Sequence, residues 1–149
     1  MGYDMFGSFA NEKIVIFSLL TVMLCAIISA CSNVAEDEGI WADAVYTENV
    51  ELGDGSKELV LGVTAEDKTV EITINSDEKT VGDALTEHGI ITGEKGPYGL
   101  YVKTVNGMLA DYDINKTYWS FSKDGEALMQ GVDAIAVEDG GHYGFTCTK

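Results

Sequence analysis

Two histidines, three cysteines and a run of aromatic side chains are where this 149-residue sequence has most chemistry to offer. Cys147 lies five residues after His142, and a thiol beside an imidazole is the start of a nucleophile pair. On a strand, however, the two point to opposite faces, and no acid is placed by sequence to orient either His142 or His88. Their spacing does not make a convincing metal set either, and a small core residue is the simpler role for Cys147. His88 falls on the apolar face of a short helix at its carboxy-terminal end, where a cation is favoured. Asp111-Tyr112-Asp113-Ile114-Asn115 opens with the spacing of a calcium loop. The sixth position is Lys116 instead of glycine and the twelfth is Ser122 instead of glutamate, so a solvated turn is expected. Trp119 and Phe121 share one strand face, with Tyr118 and Ser120 on the other. Two roles stay open for that pair: ordinary core, or an aromatic platform that stacks on a flat ligand. Tyr98 and Tyr101 flank a glycine-rich loop and either pack it or contact the same ligand. No serine-nucleophile motif, phosphate loop or pair of catalytic carboxylates is present, so the sequence reads as non-catalytic and without a cofactor or metal of its own.

The charge balance narrows the partners. There are 25 acidic and 9 basic residues, net −16, and every basic residue is a lysine. Such a chain lacks the cations that displace phosphate counterions, which excludes a nucleic-acid binder. It equally lacks a basic face for anionic lipid headgroups. The mean hydropathy of +0.05 hides a split. Residues 14–30, IVIFSLLTVMLCAIISA, are almost unbroken apolar sequence, and the rest is polar, acidic and rich in glycine.

That apolar stretch ends in Ile28-Ser29-Ala30-Cys31. An aliphatic residue, two small ones and a cysteine closing a signal segment resemble a bacterial lipobox. The resemblance implies a signal peptide over residues 1–30, cleavage before Cys31, and a diacylglycerol on its thiol. It thereby implies an extracytoplasmic protein anchored to the cell membrane by its lipidated amino terminus. An uncleaved membrane anchor and a simple secreted protein are the alternatives. With Cys25 removed and Cys31 acylated, only Cys147 remains, and no internal disulfide can form. Residues 31–56 are acidic and without period, which predicts a flexible tether; Trp41 and Tyr46 are its aromatic exceptions, candidates to dock onto the domain.

Beyond residue 57 the pattern is that of an α+β domain. Leu59, Leu61 and Val63 alternate with Val60 and Gly62, a turn follows at residues 65–68, and Val70, Ile72 and Ile74 alternate in return, predicting a β-hairpin. Thr80 and Asp83 form a variant capping box that opens a short helix, and Gly89 stops it. A glycine-rich loop is expected over residues 93–99, then a strand over 100–105 running into the Asn106-Gly107 turn. Strands are expected at 118–122, at 127–130 beyond the 123–126 turn, and at 142–148, where Tyr143, Phe145 and Cys147 share a face. Hairpin, short helix and further antiparallel strands make a β-grasp-like domain over residues 57–149.

The block Gly96-Pro97-Tyr98-Gly99-Leu100-Tyr101-Val102-Lys103-Thr104-Val105-Asn106-Gly107, then Lys116-Thr117-Tyr118-Trp119, then Gly125-Glu126-Ala127-Leu128-Met129-Gln130-Gly131 carries a family likeness. It resembles the carboxy-terminal β-domain of the cobalamin carriers transcobalamin, intrinsic factor and haptocorrin. It is closer still to the stand-alone bacterial lipoprotein form of that domain. The resemblance implies that Tyr118, Trp119 and the strand after them line a ligand surface bordered by Tyr98 and Tyr101. The carriers follow the Tyr-Trp pair with a polar residue and two leucines, whereas this chain has Ser120, Phe121 and Ser122. In the carriers a larger helical barrel covers the other face of the corrin ring. The sequence shows no counterpart of that barrel, which implies at most half of a cobalamin site. The expectation is a lipid-anchored ligand-binding module, for a corrinoid or another planar molecule, passed to an envelope or importer partner. The alternative is a cell-surface module that contacts protein or glycan and has no small-molecule site.

Overall fold

Alternation of apolar and polar side chains builds the first long hairpin. The structure, a computed structural model, describes residues 39–149. The signal segment and the Cys31 anchor lie outside the described residues. Strands β2 (Lys57–Ala65) and β3 (Lys68–Ser76) pair antiparallel along their whole length. Leu59, Leu61, Val63, Val70, Ile72 and Ile74 all point to one face and are at most 2% exposed. Fully burying an aliphatic side chain is worth about 1.5–3 kcal/mol, so this face anchors the core.

Helix α1 (Val81–Glu87) crosses that face. The Thr80 hydroxyl accepts from the Asp83 N–H at 3.1 Å and donates to the Asp83 carboxylate at 2.8 Å. The predicted cap thus forms, with the acid closing on the hydroxyl instead of on the backbone. Val81, Ala84 and Leu85 are buried. Two turns of helix are too short to persist alone and depend on this packing.

Strand β9 (Gly141–Thr148) lies parallel to β2 on one side and antiparallel to β7 (Tyr118–Lys123) on the other. With β1 (Val50–Gly53) and β8 (Glu126–Ala127) the main sheet has the order β1-β3-β2-β9-β7-β8. A second sheet contains β4 (Ile91–Gly96), β5 (Gly99–Val105) and β6 (Met108–Leu109). The described residues are therefore mostly β-sheet with few helices, an α+β architecture.

Four differences from the sequence reading have physical causes. Residues 40–53, expected within a flexible tether, form a 3-10 turn over Ile40–Asp43 and strand β1, which pairs parallel with β3. Trp41 drives this docking: it is buried, and its indole N–H donates to the Ala65 carbonyl at 2.9 Å. Asn106 clamps the same stretch, accepting from the Tyr46 N–H at 2.9 Å and donating to the Tyr46 carbonyl at 2.7 Å. Second, residues 93–99 are largely strand, because glycine permits a bulge at Thr92/Gly93. A Cβ on Gly93 would lie 2.0 Å from the Tyr101 carbonyl oxygen. Third, the strand expected over 127–130 stops at Ala127. Fourth, the turn at Asp111 is a single turn of helix, α2 (Tyr112–Asn115). Its amino terminus is capped by Asp111, whose carboxylate accepts from the Asp113 N–H at 3.0 Å.

Candidate functional site

Where β5 and β7 diverge, the fold leaves a cleft of about 480 Å³. Three segments line it: Leu100–Val102 of β5, Tyr118–Phe121 of β7, and residues 127–132, with Phe145 from β9. The volume is within the range of small-molecule sites. None of the lining residues is charged, although the chain carries a net charge of −16.

The β pleat decides which nominated side chains reach the cleft. Trp119 and Phe121 point inward and are 7% and 8% exposed. Phe121 stacks on Tyr143 with centroids 6.1 Å apart and tilts against Phe145 at 5.1 Å, while Trp119 meets Phe145 edge to face at 6.4 Å. Trp119 is packed into the core, as the first of its two roles expects, and only its remaining accessible part borders the cleft. Its indole Nε1 is buried without a hydrogen-bond partner. Tyr118 and Tyr101 stand half-exposed at the rim. Tyr98 does not join them; it occupies the β4–β5 turn and is 94% exposed, because a two-residue turn projects its side chain away from the sheet.

Residues 128–131 cross from the β7 edge to β5. The Leu128 N–H donates to the Phe121 carbonyl at 2.9 Å at one end of this strap. At the other end Val132 is buried, and the Asp133 carboxylate accepts from the Leu100 N–H at 3.0 Å. Between these anchors Met129 is fully exposed. Sequence reasoning does not reach Leu100, Val102, Val132 and Phe145 as site residues. Their apolar types announce core, and the convergence of two sheets that makes them a wall has no local signature.

The remaining reactive side chains are dispersed. Cys147 opens on a separate cleft of about 620 Å³ with Asp43, Glu66 and Lys149. Burial pushes its thiol above the ordinary value, which keeps it protonated and weakly nucleophilic. His142 is exposed on β9. His88 caps the end of α1, with its Nε2 buried, without a hydrogen-bond partner and 3.9 Å from the Glu87 carboxylate. Asp111, first of the calcium-like run, is engaged by the Lys103 ammonium at 2.9 Å. Lys103 also reaches Glu94 at 3.0 Å, and this bonding holds the Asp111 carboxyl below the usual carboxylate range. Among the described residues no three His, Cys, Asp or Glu side chains come together to hold a metal ion.

Fold and cleft together define an α+β domain with an uncharged aromatic groove. The model of a domain of unknown function, DUF4430, matches residues 78–147, which include α1, both cleft walls and the strap. Among solved structures, the chain is similar to a proposed metal-binding protein from Ruminococcus gnavus. The two are 28% identical with a TM-score of 0.59, over 63% of this chain and 98% of that one. It is also similar to haptocorrin in complex with Cbi, at 21% identity and a TM-score of 0.47, over 66% of this chain and 26% of that one. No curated protein matches the chain.

Proposed function

We propose that residues 57–149 form a non-catalytic binding module of β-grasp type whose aromatic cleft takes an uncharged ligand with a flat face. One observation carries this reading: a cleft without a single charged side chain, walled by Trp119, Phe121, Tyr118 and Tyr101, on a strongly acidic chain. Aromatic walls reward flat apolar surface, and a neutral lining leaves a charged ligand without compensation for lost hydration. The hairpin, the crossing helix and the return of β9 parallel to β2 support the β-grasp reading. A corrinoid is the planar ligand that the family resemblance suggests. The name of the Ruminococcus gnavus protein suggests a metal instead; the described carboxylates, histidines and thiol are too scattered to favour that ligand here. The lipobox-like residues 28–31 support an extracytoplasmic location on a lipid anchor at Cys31.

Cyanocobalamin and dicyanocobinamide, both neutral, titrated calorimetrically into the detergent-solubilised full chain, test the ligand. Saturable micromolar binding is expected, weakened about tenfold or more by Tyr101→Ala or Tyr118→Ala, a loss of about 1.4 kcal/mol. Both side chains are rim residues whose removal spares the core. Absence of binding at high micromolar concentration, with the fold intact by circular dichroism, rules out the corrinoid reading.

A further inference from the structure

Strand β7 is six residues long, yet β8 pairs with only two of them, Ser122 and Lys123. One more bond, from the Leu128 N–H to the Phe121 carbonyl, ends that ladder. In a strand the main-chain groups of alternate residues point to the same edge. Since Phe121 turns its carbonyl away from β9, Trp119 turns its N–H and C=O the same way. There the partner chain has already left. Met129 stands in solvent, and Gly131 packs against β5, where an added Cβ would meet the Tyr98 carbonyl at 3.4 Å. The Trp119 main chain consequently has no hydrogen-bond partner among the described residues. The facing edge of β5 is closed at Leu100 by the Asp133 carboxylate.

We propose that the cleft also accepts an uncharged, extended segment of a partner polypeptide, which adds to β7 at Trp119 and continues the ladder that β8 abandons. A donor and an acceptor presented by one residue on a strand edge match the main chain of another strand, and that match gives affinity irrespective of side-chain identity. Alternate side chains of the added segment fall on the aromatic face around Tyr101 and Tyr118, which supplies preference for apolar and β-branched residues. Charged segments of either sign find no counter-charge in the lining, and the net charge of −16 in addition repels acidic ones. This inference uses the same cleft as the proposed function but does not depend on the corrinoid reading.

An array of acetylated and amidated random octapeptides, probed with the solubilised full chain, supplies the test ligands. Uncharged sequences rich in β-branched and aromatic residues are expected among those captured. A saturating captured peptide should slow hydrogen exchange at the Trp119 amide about tenfold or more, leaving the β2 amides unchanged. N-methylating one alternate set of peptide amides should abolish capture, and methylating the other set should not. Failure to capture any peptide overturns the inference. So does capture that ignores N-methylation and leaves Trp119 exchange unaltered. A concentration-dependent dimer that protects the Trp119 amide without peptide also overturns it, because the occupant is then a second copy. Corrinoid binding without peptide capture removes this inference and keeps the proposed function; the reverse result removes only the corrinoid.

Discussion

Asp133 and Leu100 are joined just past the end of the strap: the Asp133 carboxylate accepts from the Leu100 N–H at 3.0 Å, pinning residues 128–131 to β5. The bond is exposed, so its contribution to stability is modest, about 0.5–1.5 kcal/mol. Its effect on the cleft is larger, since it fixes one end of a segment whose middle makes few contacts. Asp133→Ala is therefore expected to lower the urea midpoint slightly while markedly increasing amide exchange at Gln130 and Gly131. Asp133→Asn, which keeps an acceptor oxygen, should restore most of the protection. Unchanged exchange in Asp133→Ala would show that Val132 alone holds the strap.

The same carboxylate constrains the helix. A Cβ on Gly82 would sit 2.3 Å from Asp133 Oδ1. Glycine to alanine normally stabilises a helix interior by about 1 kcal/mol. At Gly82 the opposite sign is expected, a loss of about 1–3 kcal/mol from overpacking. In the Asp133→Gly background the carboxylate contact is removed and only the approaches to the residue-133 N and Val132 Cγ2, both at 3.1 Å, remain, so Gly82→Ala should cost less there. A double-mutant cycle by chemical denaturation measures this coupling, and additive effects would contradict the contact.

How much of this was legible in the sequence depends on how local the signal is. The β2–β3 hairpin was readable because one face is fully buried and the period of two is unbroken from Leu59 to Val63 and from Val70 to Ile74. Asn106-Gly107 and Asp124-Gly125 were readable because both turns need positive φ at both residues, 51° and 83° in each. The Thr80 cap was readable for a similar reason, a hydroxyl beside free amides. Strand β4 was not, since glycines that serve a bulge look like loop. Trp41 could be marked as a docking residue by its type, but β1 could not be read, since its acidic neighbourhood shows no period. In the cleft, the aromatics of β7 could be nominated from their spacing. The strap could not, because its position depends on Asp133 meeting a backbone amide 33 residues away.

Acid should weaken the domain partly through Asp111. Hydrogen bonding to Lys103 comes first among the causes that hold its carboxyl below the ordinary range, with the Asp113 N–H next. A carboxyl depressed in the folded state contributes stability that is complete above its unfolded value, near pH 4, and is lost as pH falls through the folded value. Asp111→Asn keeps the α2 cap but removes the titration. Urea midpoints between pH 2 and 6 should thus fall less steeply for Asp111→Asn than for the wild type, with the two curves drawing together at the acid end. Parallel curves would place the acid sensitivity elsewhere.

Lipid attachment at Cys31 is tested independently of the cleft. A diacylglycerol chain pair holds a protein on a bilayer far more firmly than a single acyl chain. In a bacterial host, Cys31→Ser should lose incorporation of an alkyne fatty acid. It should also accumulate as an unprocessed precursor with its residues 1–30 retained. Continued labelling of the serine variant would move the acylation to another site and remove the lipobox reading.

Trp119 separates packing from hydrogen bonding. Removing the whole ring by Trp119→Ala opens a cavity beside Phe145 and should cost about 3–5 kcal/mol. Trp119→Phe keeps most of the apolar contact and deletes an indole N–H that is buried without a partner. An unsatisfied buried donor carries a penalty of about 1–3 kcal/mol, and its removal offsets much of the lost ring area. The phenylalanine variant should accordingly fall within about 1.5 kcal/mol of the wild type. Any ligand that supplies an acceptor to that N–H reverses the comparison, because the wild type then gains a bond that phenylalanine cannot make. Thermal unfolding of both variants with and without cobinamide distinguishes the cases. A larger ligand-induced stabilisation in the wild type than in Trp119→Phe assigns the indole N–H to the ligand. Equal shifts restrict Trp119 to the hydrophobic wall.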